Sequence, residues 1–185
     1  MLALVAFLIG QRVGIGSSTG DASSGAAGAP SAAGGAPAGG AVNISQMSPE
    51  ERANRLFDRI MSYSEQGKQD SARFFAPMAI QAYQMLGTPD SHARYDIGMI
   101  GFVTGNAVLA RAEADTILAK DKSHLLGLIL AMKAAGLRND AAARTQFEKR
   151  FKASEPAERA KKLKEYEDHA SDIEAAMRSP RGTKP

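Results

Sequence analysis

The sequence predicts an all-α protein of paired antiparallel helices. Three observations carry this. Between residues 46 and 178 apolar side chains recur at steps of three and four. Turn signals interrupt them at short intervals. No stretch alternates with period two, so no strand is expected.

The elements follow in order. Ser48-Pro49-Glu50-Glu51 is a helix start, with Ser48 as N-cap, Pro49 at N1 and Glu51 closing a capping box. That helix runs to Gly67 with Leu56, Phe57, Ile60, Met61 and Tyr63 on one face. A second helix is expected from about Gln69 to Leu86, with Phe74, Phe75, Met78, Ala82, Tyr83 and Leu86 inward. Pro77 inside it should kink or divide it. Gly87-Thr88-Pro89-Asp90 stops it and starts a third helix, 91–104. Gly105-Asn106 turns into a fourth, 107–119. A fifth covers 122–136, and Asn139-Asp140 turns into a sixth, 140–151. Ser154-Glu155-Pro156 is expected to cap a seventh, 155–178. Leu163, Tyr166, Ala170, Ile173 and Met177 give that last helix one narrow apolar seam, suited to capping a stack.

The chain divides by composition into four parts. Residues 1–15, MLALVAFLIGQRVGI, are apolar. Residues 16–45 are rich in Gly, Ala, Ser and Pro and lack the large side chains a core needs. As a flexible linker, the stretch from Gly16 to Ala41 would span about 25–30 Å. Residues 46–178 are the helical domain, and 179–185 are a short basic tail.

The apolar start has three readings. A spanning helix needs about 20 apolar residues, and this run is shorter. A cleaved signal needs a basic n-region, which is missing. The third reading is an anchor whose beginning is absent, and a buried apolar arm ranks behind both an anchor and a cleaved signal. An anchor is favoured, with Leu2, Leu4, Val5, Phe7, Leu8 and Ile9 meeting the membrane or another subunit.

Composition excludes several functions. There are no cysteines, hence no disulfide, thiolate metal site or cysteine nucleophile. Net charge is only +3, and the basic residues of the second half alternate with acids, so no nucleic-acid partner is expected. There is no Trp, and aromatic residues make up 6%, too few for a base-stacking platform. Gly98-Met99-Ile100-Gly101 lies in a helix pattern and is no phosphate loop. His92 and His124 sit at equivalent junctions and are read as surface residues. Glu165, His169 and Asp172 share a face and are read as a solvated ion-pair row. No catalytic constellation, cofactor site or small-molecule substrate is expected.

Residues 91–124, SHARYDIGMIGFVTGNAVLARAEADTILAKDKSH, form one unit with Gly98 at the meeting of its two helices, Gly105 at the turn and Ala110 at the close-packing site. The neighbouring units match more loosely, with Ala72 and Ala143 at the equivalent of Ala110. Over residues 53–157 the chain resembles a tetratricopeptide repeat, whose unit is about 34 residues. The resemblance implies a solenoid of about three helix hairpins with a C-terminal cap. It also implies a concave groove lined by the first helix of each unit. Carried over, one register holds Phe57, Tyr95 and Leu128, and a second holds Met61, Met99 and Met132, with Phe102 one turn beyond. Such a groove would take a helix or extended segment of a protein partner.

The function expected from these readings is a non-catalytic, membrane-tethered scaffold that holds or stabilises a membrane protein complex. The alternative is a structural accessory subunit of a large respiratory or photosynthetic membrane assembly, its N-terminus packed on other subunits. By analogy, the expected location is a bacterial inner membrane, with the helical domain on the periplasmic side.

Overall fold

A computed structural model describes residues 47–178. The apolar segment, the linker and the basic tail lie outside the described residues, as do the expectations placed on them. Eight helices are present among the described residues, with no strand. They are α1 (Pro49–Glu65), α2 (Gln69–Met85), α3 (Ser91–Val103), α4 (Ala107–Lys120), α5 (Leu125–Leu137), α6 (Ala141–Ala160), α7 (Lys164–Asp168) and α8 (Ala170–Arg178). None is long and apolar enough to cross a membrane.

The first six helices form three stacked antiparallel hairpins. In each pair, α1/α2, α3/α4 and α5/α6, the two helices pack on one another, and α4 also packs on α5. The first helices meet in turn, α1 on α3 and α3 on α5, and so form an inner layer.

Local signals explain most of the boundaries. Ser48 accepts a hydrogen bond from the Glu51 amide (3.1 Å), and the Ser48 amide donates to Glu51 Oε2 (2.7 Å). Asp90, Asn106 and Asp140 cap α3, α4 and α6 through their side-chain oxygens. Gly105 turns α3 into α4 at φ +81°, a conformation that disfavours residues with a Cβ. A partly buried ion pair, Arg94 Nη1 to Glu113 Oε2 at 2.8 Å, ties α3 to α4.

Several expectations are corrected. Helix α2 runs unbroken through Pro77. Its buried face is Ala72, Ala76, Ala79 and Tyr83. Phe74, Met78 and Leu86 point outward, because small residues form the close contact and leave no room for large ones on that side. Gly98 serves the crossing of α3 with α5, not with α4. A Cβ there would lie 2.2 Å from Leu130 Cδ2. Gly101 makes the close approach within the hairpin, where a Cβ would lie 3.0 Å from the Ala110 nitrogen. Ala110 is fully buried at that contact.

The largest correction concerns the C-terminus. The Ser154-Glu155-Pro156 signal does not start a helix, since α6 continues through Pro156 to Ala160. Pro156 is exposed, and its ring lies on the solvent side of α6. The chain reverses at Lys162, whose φ is +50°. It then returns as α7 and α8, which form a strap. Helix α8 packs on α5, and His169 at the α7–α8 junction reaches α3, so the strap does not simply cap the end of the stack. The seam survives the break in part: Tyr166 and Ile173 are buried in the core, Leu163 and Ala170 are partly buried, and Met177 is exposed.

Gly98→Ala should lower stability by about 1–2 kcal/mol. Leu130 is sealed and must leave its rotamer, which outweighs the helix-propensity gain. Gly136→Ala, where a Cβ meets nothing, should be neutral or stabilise by up to about 1 kcal/mol. Urea midpoints check both. A Gly98→Ala variant as stable as the parent would contradict the tight crossing.

Candidate functional site

The inner layer holds the seven side chains expected to line a groove, but the strap divides them. Tyr95 and Leu128 are fully buried and Met99 is nearly so, all in one core cluster with Tyr166 and Ile173. They do not line an open groove, because α7 and α8 lie over them. Phe57, Met61, Phe102 and Met132 pack at the edge of this cluster and stay partly accessible. Phe102 and Met132 lie at one side of α8, where Lys133 Nζ sits 4.6 Å from the Phe102 ring centre.

On the other side of the strap a cleft of about 610 Å³ stays open between α1 and α7–α8, with α3 as its floor. Phe57, Met61 and Met99 reach it, but its character is polar. Asp58, Glu65, Asp96, Asp168 and Asp172 line it, with Lys164, His92 and His169.

At its base three side chains converge. His92 and Asp96 are one turn apart on α3. His169 lies between α7 and α8. Asp96 is 4% exposed. The Tyr83 hydroxyl donates to Asp96 Oδ2 (2.8 Å) and lies 3.0 Å from Asn54 Oδ1. Asp96 Oδ1 has no hydrogen-bond partner, and His169 Nε2 stands 3.3 Å from it. His92 Nε2 is 3.9 Å from Asp96 Oδ2. The outer ring nitrogens have their own carboxylates. His169 Nδ1 is 3.6 Å from Asp172, and His92 Nδ1 is 3.9 Å from Asp168. The two imidazoles meet edge to face at 5.0 Å, and Tyr95 packs on His169 at 4.7 Å. Among the described residues, this is where three His and carboxylate groups stand at metal-ligand spacing.

Electrostatics follow from this enclosure. Burial pulls the His169 pKa down, but the bonds to Asp172 and Asp96 outweigh it and push it up to about 9. Burial tends to raise Asp172, and the bond from His169, with Lys133 beside it, holds it below the usual carboxylate range. Burial and the Asp96 carboxylate push the Tyr83 hydroxyl far above its usual range, which keeps it a donor.

A second network fastens the other end of the strap. The Leu125 amide, one of the free donors at the start of α5, donates to the Tyr166 hydroxyl (3.1 Å), and that hydroxyl donates to Glu158 Oε2 (2.9 Å). Lys161 bridges Glu158 and Asp121 at 2.8 and 3.0 Å. His124 is buried here and is not a surface residue. It faces Glu165 at 3.4 Å. Burial lowers its pKa, against the pull of Glu165.

The sequence held one signal for the base of the cleft, the His92–Asp96 spacing of four on a helix. The arrival of His169 depends on the reversal at Lys162, which nothing local announces. No family model, curated protein or solved structure matches the chain.

The two buried histidines act in opposite senses on stability. His169 titrates higher folded than unfolded, so its contribution is complete below about pH 6.5 and is lost as pH rises through about 9. His124 titrates lower folded than unfolded, so its contribution is complete above about pH 6.5 and is lost as pH falls below that. Urea midpoints across this range, with a chelator present, should peak near neutrality. His169→Gln should flatten the alkaline arm and His124→Gln the acid arm. An unchanged alkaline arm in His169→Gln would refute the first assignment.

Proposed function

We propose that this chain is a non-catalytic scaffold, tethered to a membrane by residues 1–15 and holding a protein subunit of a membrane complex. The domain would be a short tetratricopeptide-like stack, with the linker giving it reach.

One observation carries the reading. Helix α2 presents an apolar row to solvent: Phe74 is 70% exposed and Met85 78%, with Met78 and Leu86 also open. A few isolated apolar residues on a surface need no explanation, but a row along one helix face suits a partner. Methionine in that row adapts to a partner's shape. The row lies on the outer helix of the first hairpin, the part of the domain that follows the linker. The partly accessible Phe57 and Met61 add apolar surface on the cleft side of the same hairpin.

This moves the contact away from the expected groove. The strap occupies the concave face over the second and third hairpins, so the groove would be available only along α1. A partner on α2 meets no such obstruction.

Solubilising native membranes in a mild detergent and sizing the chain provides the test. The expected result is migration with a defined partner. Phe74→Asp with Met85→Asp should release that partner without changing helicity, because neither side chain belongs to the core. Migration at the monomer mass, or a partner retained by the double variant, would count against the scaffold.

A further inference from the structure

We propose that His92, Asp96 and His169 form a binding site for a divalent first-row transition metal, zinc being the best fit, which pins the C-terminal strap to α3. The inference stands on the geometry at the base of the cleft and does not rest on the scaffold reading.

The donor set is the first argument. Two imidazoles and one carboxylate are common ligands of zinc and its neighbours, and three protein ligands leave a fourth position for water or a partner group. Each of the three residues offers one atom, and these atoms lie within 4.8 Å of one another. In a tetrahedral zinc site with bonds of about 2.0–2.1 Å, ligand atoms stand about 3.3 Å apart. Asp96 Oδ1 and His169 Nε2 already stand at 3.3 Å. His92 Nε2 is 3.9 Å from the other oxygen of that carboxylate, Oδ2, which also accepts from the Tyr83 hydroxyl. His92 is only partly buried and has the freedom to close that gap.

The surrounding shell is the second argument. A metal-bound histidine commonly turns its other ring nitrogen to a carboxylate, which fixes ring and tautomer. Both histidines here are arranged that way: Nε2 faces Asp96, and Nδ1 faces Asp168 in one and Asp172 in the other. Asp96 is held in turn by the Tyr83 hydroxyl. An ion pair between His169 and Asp96 explains one histidine. It gives no reason for the second to point at the same carboxylate.

The third argument is the unfinished bonding. Asp96 Oδ1 and His169 Nε2 are both buried and stand 3.3 Å apart as an ion pair, yet neither makes an aligned hydrogen bond. Unsatisfied buried polar atoms are uncommon and call for an explanation, a bound ion among them. The cleft above supplies an entry path and an excess of carboxylates. A metal here would take the place of the proton on His169 and bond α3 to the α7–α8 junction, adding to the apolar contacts of Tyr166 and Ile173 that already dock the strap.

The test uses the untagged full chain, stripped with a chelator and titrated with zinc chloride by calorimetry. Wild type should take up one zinc per chain at micromolar concentrations or tighter, and zinc should raise its melting temperature. His92→Ala should weaken uptake at least tenfold and abolish the thermal shift. Because His92 is half-exposed, this variant should fold, which circular dichroism checks. Glu165→Gln, on the separate His124 network, should bind zinc as wild type does. No uptake by wild type, or uptake equally tight in His92→Ala, would overturn the site.

Discussion

Helix α5 is apolar on every side, and a helix of that kind has to be covered on every side. From Leu125 to Ala131 each consecutive residue is buried. Helix α3 has the same problem from Tyr95 to Gly101. In a stack of hairpins the flanking helices cover only part of such a surface. The inner face of α3 and α5 would remain bare. The strap removes that exposure by laying Ile173 and Tyr166 on it. Burying each apolar side chain of this size is worth about 1.5–3 kcal/mol, enough to hold a short helix that has little stability alone.

Polar groups then determine where the strap docks. Apolar contact is not directional, and a nine-residue helix could slide along a greasy face. His169 can sit between Asp96 and Asp172 in only one register. At the other end, Tyr166 fits between the first amide of α5 and Glu158. Removing one partner from either network strands a buried polar or charged group, which costs more than the intact contact contributes. These networks are therefore better described as specifying one docked position than as sources of net stability. They also leave the inner layer asymmetric, covered over α3 and α5 and open to the cleft along α1.

The sequence announced what is local and concealed what is not. The capping box at Ser48, the caps at Asp90, Asn106 and Asp140, and the turn at Gly105 each depend on a few neighbouring residues, and each stands where expected. So the hairpin order was legible. The facing of α2 is legible only in part: the repeat pattern places Ala72 at the close-packing site, where it is buried, but Phe74 and Met78 fit the same helical period and only packing turns them outward. Pro156 misled for a related reason: Ser154-Glu155-Pro156 is a good helix start in isolation, yet α6 carries on until Glu158 and Lys161 reach Asp121 and Tyr166. Tyr95, Met99 and Leu128 lie on the first helices of their hairpins, but their burial is not legible locally, since the strap over them comes from far along the chain. The cleft was half visible. His92 and Asp96 are four apart on α3, while His169 meets them only after the reversal at Lys162.

The central claim is that α7 and α8 dock on the inner face of α3 and α5 as part of the folded unit. Amide hydrogen exchange on the full chain reads this directly. A nine-residue helix free in water would exchange almost as fast as unfolded chain. The account predicts that amides across Ile173 are protected to a degree approaching those of α3 and α5. Exchange across α8 at unfolded-chain rates, with α3 and α5 still protected, would contradict it.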